Sequence, residues 1–173
     1  MQVTAPEVVA ERAERFRAWV GNVSRPQPAG HRFIYTPAQP LHWTPLRKPL
    51  HECTVALITT AGLHLRSQEP FAVYAEEGDW TSRCIPEEVA TRDLTFTHTH
   101  YDTRDPLRDP NVVFPIDRLR ELAADGTIGR LAPRHFGFMG FIPDPRHLVR
   151  ETAPQVAAAL AADRVDVTLL TAG

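Results

Sequence analysis

The segment Cys53–Thr60, CTVALITT, is the feature that most limits the folds open to this chain. It is apolar without alternation and rich in β-branched residues, which is typical of a strand buried on both faces of a parallel sheet. Val165–Thr171 has the same character, and the segments 115–126 and 152–163 between them carry apolar residues at helical spacing. This order of elements predicts an α/β domain with a mostly parallel sheet and flanking helices, in a Rossmann-like or flavodoxin-like arrangement.

Residues 1–52 are predicted to form a separate N-terminal region, and residues 53–173 the α/β domain. Thr4 and Glu7 form a capping box at the start of an amphipathic pattern that runs to Val20, so we expect a helix there. The stretch 22–51 is rich in proline and lacks a helical period. Because it is also too apolar for a disordered linker, it predicts an extended arm that crosses the domain surface or reaches a second subunit.

Composition excludes several functional classes. A net charge of −2 and a charged fraction of 23% show no basic excess for binding nucleic acid. The longest apolar run, 156–162, is too short to cross a membrane, and no G-x-G-x-x-G motif indicates a dinucleotide cofactor. Cys53 and Cys84 lack zinc-site spacing, and the N-terminus does not read as a signal peptide. We therefore expect a cytoplasmic protein that acts on a small molecule.

The segment from Leu94 to Asp102, LTFTHTHYD, predicts a strand that ends in a functional site. At a period of two, one face carries Leu94, Phe96, His98, His100 and Asp102. Imidazole and carboxylate groups follow apolar groups along a buried face only where that face opens into a pocket. We therefore expect a pocket at the end of this strand.

Other polar residues and glycines fall at predicted strand ends, where α/β sheets bind ligands. The turn Ala61-Gly62 follows the first strand, and His135–Phe141 alternates large aromatic residues with glycine, which allows either close approach of a ligand or a tight turn packed under aromatics. The candidate catalytic residues are His98, His100, Tyr101, Asp102 and His135, and the candidate substrate-binding residues are Thr59, Thr60, Gly62, His64, Gly137 and Met139.

These residues are compatible with three kinds of function. A metal enzyme would bind zinc, copper or iron through His98 and His100, with Asp102, His64 or His135 completing the coordination. An acid–base or redox subunit would use the same imidazoles to orient a substrate and transfer protons. A non-catalytic subunit would use only the arm and the glycine-aromatic segment, for assembly.

Five blocks, in this order and spacing, carry a resemblance to a known family: Val55–His64, Thr97–Asp102, Asn111–Leu119, Phe136–Gly140 and Val165–Thr171. Together they resemble the glycine/sarcosine/betaine reductase selenoprotein B family, and most closely its D-proline reductase branch. The resemblance covers about residues 40 to 173 and implies an oxidoreductase subunit that cleaves a C–N bond reductively. It also implies a selenocysteine or cysteine nucleophile in the loop after the strand that matches Val165–Thr171.

The sequence ends at Gly173, at about the position where the family's nucleophile would come. Neither Cys53 nor Cys84 lies in the corresponding loop. We expect either that the reading frame continues through an in-frame selenocysteine codon, or that this is a short member that uses the His98–Asp102 face. An apolar arm and a last strand without a following helix also predict a homodimer or larger assembly, with room for a second kind of subunit.

Overall fold

The computed structural model describes residues 44–76 and 78–173. The predicted N-terminal helix and most of the proline-rich arm lie outside the described residues. Within these ranges the strands are β1 (Thr54–Thr59), β2 (Leu63–Leu65), β3 (Ser82–Pro86), β4 (Leu94–Phe96), β5 (Arg130–Leu131), β6 (Arg134–Phe138) and β7 (Val167–Thr171). The α-helices are α1 (Arg104–Arg108), α2 (Ile116–Ala124) and α3 (Ala153–Ala162), and a π-helical turn, Leu148–Thr152, leads into α3.

Strand β1 is the centre of the main sheet. Val55 pairs with Leu131 of β5 on one edge and with Val167 of β7 on the other. Further along, β6 takes over the first edge, and all three neighbours run parallel to β1. Strand β3 adds an antiparallel edge next to β6. The prediction of an α/β fold with a mostly parallel sheet is confirmed, although the sheet is mixed.

Helices cover both faces of this sheet. Ile116 and Leu119 of α2 pack with Val55 and Leu57 in the larger core. On the opposite face, Val156 of α3 packs with Phe136 and Phe138 of β6 and with Ile58 of β1. The alternation along β1, with odd positions toward α2 and Ile58 toward α3, explains why its sequence is apolar throughout. The predicted inward faces of both helices are confirmed.

The segment that begins at Leu94 corrects the predicted topology. Only Leu94–Phe96 is a strand, and it pairs antiparallel with β2 in a separate two-stranded sheet. The ladder ends where the Thr97 N–H donates to the Gly62 carbonyl, because β2 begins at the Gly62 turn and offers no backbone beyond it. The prediction of a strand running to Asp102 within the parallel sheet is therefore wrong.

The sequence also predicts a short helix from Pro86 to Ala90, which the structure does not contain. This segment is instead the end of β3 and a turn, because Ile85 is buried and Cys84 pairs with Phe136 of β6. Of the segment His135–Phe141, the residues up to Phe138 belong to strand β6, and the chain bends at Gly140.

The last strand, β7, was predicted to be buried but lies at the edge of the sheet. Its Leu169 and Leu170 are 39% and 70% exposed. Among the described residues, β7 pairs only with β1, so one of its edges has no strand partner. Within residues 44–76 and 78–173, no helix is long and apolar enough to span a membrane.

Gly137 generates a stability prediction, because a Cβ at this position would lie 2.1 Å from the Leu63 backbone carbonyl. We expect Gly137→Ala to lower the free energy of unfolding by about 3 kcal/mol, since backbone atoms must move. Gly126→Ala is the control, because it adds the same methyl group in open space and only the left-handed φ of +78° opposes it. We expect this variant to lower the free energy of unfolding by about 1 kcal/mol. Urea denaturation measures both, and equal losses would contradict the prediction.

Candidate functional site

Two glycines bring three loops together at the carboxyl end of β1. A Cβ on Gly62 would lie 2.3 Å from the Thr97 carbonyl oxygen, and a Cβ on Gly140 would lie 2.3 Å from the Thr60 carbonyl oxygen and 3.3 Å from His98 Nε2. Both glycines have positive φ, +70° and +90°. Any other residue would therefore meet both a steric clash and backbone strain.

A fourth segment reaches the same place. The Thr171 carbonyl accepts a hydrogen bond from the Thr60 N–H at 3.1 Å, and Gly173 lies against Ala61 and Tyr101. We call this meeting of residues 59–62, 97–101, 139–141 and 171–173 the strand-end junction. Because parallel strands end at one edge of a sheet, the sequence predicts that 59–62, 98–102 and 171–173 converge. The structure brings most of these residues together and adds 139–141, although β4 reaches the junction from the small sheet.

His98 ties two of these segments together. Its Nδ1 accepts the His100 N–H at 2.9 Å, so the proton of the neutral ring is on Nε2, and the ring also hydrogen-bonds the Met139 backbone. Burial, with a smaller contribution from His100, lowers the pKa of His98 to about 4. At neutral pH, His98 is therefore an uncharged link between the 97–101 and 139–141 segments.

Tyr101 packs beside His98. The two rings meet edge to face, with centroids 4.7 Å apart, and the Tyr101 hydroxyl donates to the Ala61 carbonyl at 2.9 Å. Burial raises the pKa of the Tyr101 phenol well above its usual range, so this side chain stays protonated. It is placed as a rigid wall of the junction rather than as a proton acceptor.

His100 and Asp102 lie further out than His98. His100 is exposed and stacks on Phe141, with ring centroids 3.9 Å apart. Asp102 is also exposed and pairs with Arg104, whose Nη2 lies 2.8 Å from the carboxylate. Because the chain turns after Thr97, the three side chains do not continue one extended face as the sequence period predicted.

His64 lies on β2, and its side chain contacts Thr97, the first residue of the 97–101 segment. Its Nδ1 donates to the Leu65 carbonyl at 2.8 Å, and its Nε2 accepts from the Thr97 hydroxyl at 2.8 Å. Burial lowers its pKa. Both ring nitrogens are thus used in holding the small sheet together. Thr59 is similarly occupied, since its hydroxyl oxygen accepts the Ala61 N–H at 3.3 Å.

His135 lies in the main core. Its Nδ1 accepts the Leu57 N–H at 3.0 Å, which places the proton on Nε2, and that buried atom has no hydrogen-bond partner among the described residues. Burial, with a contribution from the Arg120 charge, lowers the pKa of His135 to about 4. The side chain supplies an acceptor to β1 in the gap between β5 and β6, which indicates a structural role.

The remaining candidates divide between the core and the junction. Gly137 faces the Leu63 backbone rather than open space. Met139 is fully buried, and its sulfur accepts the Phe141 N–H at 3.1 Å. Sequence reasoning did not name Gly140 and Phe141 as junction residues. The positive φ of Gly140 was the missing signal, because sequence shows that a glycine is present but not which backbone it contacts.

The geometry gives no support to the metal hypothesis. Across residues 44–76 and 78–173, no three histidine, cysteine or acidic side chains are grouped so as to hold an ion. Both nitrogens of His98 already have hydrogen-bond partners. Metal binding through His98 and His100 stays a prediction.

Comparison with known proteins identifies the family to which this chain belongs. A family profile described as glycine/sarcosine/betaine reductase selenoprotein B matches residues 38–173. The chain belongs to this family, which confirms the resemblance seen in the sequence blocks.

Two curated relatives narrow the identification. The chain is 42% identical over 141 residues to D-proline reductase subunit gamma of Acetoanaerobium sticklandii, a match that covers 81% of this chain and 57% of that protein. It is 28% identical over 97 residues to sarcosine reductase complex component B subunit beta of Peptoclostridium acidaminophilum. That match covers 51% of this chain and 21% of the relative. The chain thus spans little more than half the length of the first relative and about a fifth of the second. No solved structure matches significantly.

His135 generates a prediction about pH. Its pKa falls from 6.5 to about 4 on folding, so between these values the unfolded chain binds a proton that the native state excludes, and stability falls as pH falls. From about pH 7 to about pH 5 this linkage removes about 2 kcal/mol. His135→Asn keeps an acceptor oxygen near the Leu57 N–H but does not titrate, so we expect it to lose about 2 kcal/mol less than wild type over this range.

Urea denaturation at both pH values measures this difference, and His51→Asn, which replaces an exposed histidine, is the control. If wild type and His135→Asn lose the same stability on acidification, His135 is not excluded from protonation in the native state.

Proposed function

We propose that this chain is a subunit of a D-proline reductase-type oxidoreductase that acts on a small amino-acid-like substrate, with the strand-end junction as its active crevice. The support is its family membership and its 42% identity to a D-proline reductase subunit. The junction lies at the carboxyl end of β1, where α/β sheets bind ligands. Helices on both sheet faces favour a flavodoxin-like arrangement of the domain.

One observation carries the choice of site: the four segments that meet at the junction come from four of the five blocks that resemble the family, or directly follow them. In this proposal His98 holds the floor of the crevice, and His100 and Asp102 lie at its outer side. Of the other candidate residues, His64 uses both ring nitrogens in structural hydrogen bonds, and His135 uses its Nδ1 to accept the Leu57 N–H.

The proposed reaction breaks one C–N bond of the substrate. With D-proline, two electrons and two protons convert the cyclic amino acid to 5-aminopentanoate, as the α-carbon and the nitrogen each gain a hydrogen. A dithiol supplies the electrons and becomes a disulfide. In this proposal the chain's own residues bind and orient the substrate.

The test is an assay of the complex that the full-length protein forms in its native cells. The protein is tagged, purified with its associated subunits and supplied with dithiothreitol and, separately, D-proline, glycine, sarcosine or betaine. We expect dithiol-dependent consumption of one substrate, identified by mass spectrometry. We expect His98→Ala to reduce the rate by roughly 100-fold, since misplacement of a positioned group by about 1 Å has this effect.

The control for this assay is His51→Asn, an exposed substitution outside the junction, which should keep the wild-type rate. Absence of dithiol-dependent loss of all four substrates would reject the proposed reaction. Full activity of His98→Ala would reject the junction as its site.

We also propose that the protein works in the cytoplasm as part of an assembly, either a homo-oligomer or a complex with a second subunit. Both relatives are named as subunits, and the exposed β7 edge with Leu169 and Leu170 offers an apolar contact surface. The thiols of Cys53 and Cys84 are free, as expected in a reducing compartment.

Assembly is tested by light scattering at micromolar concentration. We expect a mass at least double the 19.4 kDa of the chain. Leu170→Arg should shift the protein toward the monomer, because it buries a charge at the contact. Tyr74→Arg is the control, since Tyr74 is 91% exposed but remote in sequence from β7. A wild-type monomer would contradict the homo-oligomer, and the absence of any second protein from the complex purified from native cells would then contradict the alternative.

A further inference from the structure

At Gly173 it is the lack of room for a side chain, and not a special backbone conformation, that favours glycine. A Cβ at this residue would lie 2.8 Å from Ala61 Cα, 2.9 Å from Ala61 Cβ and 2.8 Å from Tyr101 Cε1. Real Cβ atoms essentially never come this close to another heavy atom. Gly62 and Gly140, by contrast, also have positive φ. The contact with Ala61 and Tyr101 is therefore a slot that a backbone without a side chain can enter.

The Tyr101 wall of this slot cannot easily move aside. Its hydroxyl donates to the Ala61 carbonyl at 2.9 Å, so the two walls are tied to each other. Its ring also packs edge to face on His98, which is itself linked to the Met139 backbone. A rotation of the Tyr101 side chain would break the hydrogen bond and the ring contact together.

The segment that enters the slot is fixed just before it. The Thr171 carbonyl accepts the Thr60 N–H at 3.1 Å, and the Thr171 hydroxyl donates to the Val113 carbonyl at 2.6 Å. Two residues later, at Gly173, the chain is exposed to solvent on one side, and an added Cβ would meet both Ala61 and Tyr101 on the other. The end of β7 is thus held by hydrogen bonds on one side and by a narrow slot on the other.

We infer that Tyr101 is a positioning residue, which forms with Ala61 a slot for the backbone of Gly173 and thereby fixes where the segment after β7 lies in the junction. Tyr101 then acts on the protein's own backbone rather than on a substrate. The effect on catalysis rests on the proposed reductase function, whereas the slot itself does not.

Hydrogen exchange tests the slot without any substrate. The reporter is the Thr60 amide, which donates to Thr171, followed by NMR on the purified chain. We expect Gly173→Ala to speed its exchange by about tenfold or more, because the added methyl group displaces the segment and opens this bond locally. Tyr101→Phe, which keeps the ring but loses the bond to Ala61, should give a smaller increase. Ala172→Ser, at an exposed neighbour, is the control and should exchange like wild type.

A double-mutant cycle shows whether Tyr101 is the obstacle. If the ring forms the slot, Gly173→Ala should have a much smaller effect in a Tyr101→Ala background, so the two changes are non-additive. Additive effects, or unchanged Thr60 exchange in Gly173→Ala, would overturn the inference whatever the enzyme activity.

Kinetics of the tagged native complex test the positioning role. Tyr101→Phe should lower kcat by about tenfold with KM for the substrate unchanged, since an effect on the protein segment does not alter substrate binding. A rise in KM at constant kcat would instead make Tyr101 a substrate contact and overturn the assignment. If the wild-type complex consumes none of the four substrates, the reductase proposal fails, and the exchange data still decide on the slot.

Discussion

The pairing of β1 on both edges is the constraint on which the rest of this structure depends. Val55 meets β5 on one side and β7 on the other, and Thr59 meets β6 and β7 in the same way. Because both faces are also covered, β1 has no freedom to shift its register without exposing apolar side chains. The Thr60–Gly62 turn, which directly follows the carboxyl end of β1, is therefore also fixed in position.

The four histidines that sequence reasoning grouped together have separate roles. His64 holds the small sheet, His135 supplies an acceptor within the core, and His98 links two loops. Burial lowers the pKa of each of these three. His100 alone is exposed, stacked on Phe141. Three of these four histidines are therefore neutral hydrogen-bonding parts of the fold at neutral pH.

The parts predicted well from sequence are those with a strong apolar period. The apolar segment Cys53–Thr60 correctly predicts strand β1. The apolar residues at helical spacing in α2 and α3 correctly predict which faces of these helices pack on the sheet. The strand at Leu94 was recognised, but its partner was not, because period two is the same in parallel and antiparallel pairs. His135–Phe141 could not be assigned between strand and turn, since the reason for Gly137 is the Leu63 backbone, which is distant in sequence. Local pattern contains no information on such contacts.

The glycines show why the sequence predicts where the junction lies but not which backbone segments contact one another there. Gly62, Gly140 and Gly173 each bring one backbone within van der Waals contact of another, at Thr97, Thr60 and Ala61. Backbone atoms rather than variable side chains thus determine the distances between these segments. A side chain on such loops is held in position because hydrogen bonds join the loops to one another, from the Thr97 N–H to the Gly62 carbonyl and from the Thr60 N–H to the Thr171 carbonyl. The same close contacts leave little room for substitution, so the arrangement of the junction is encoded by small residues as much as by its histidines.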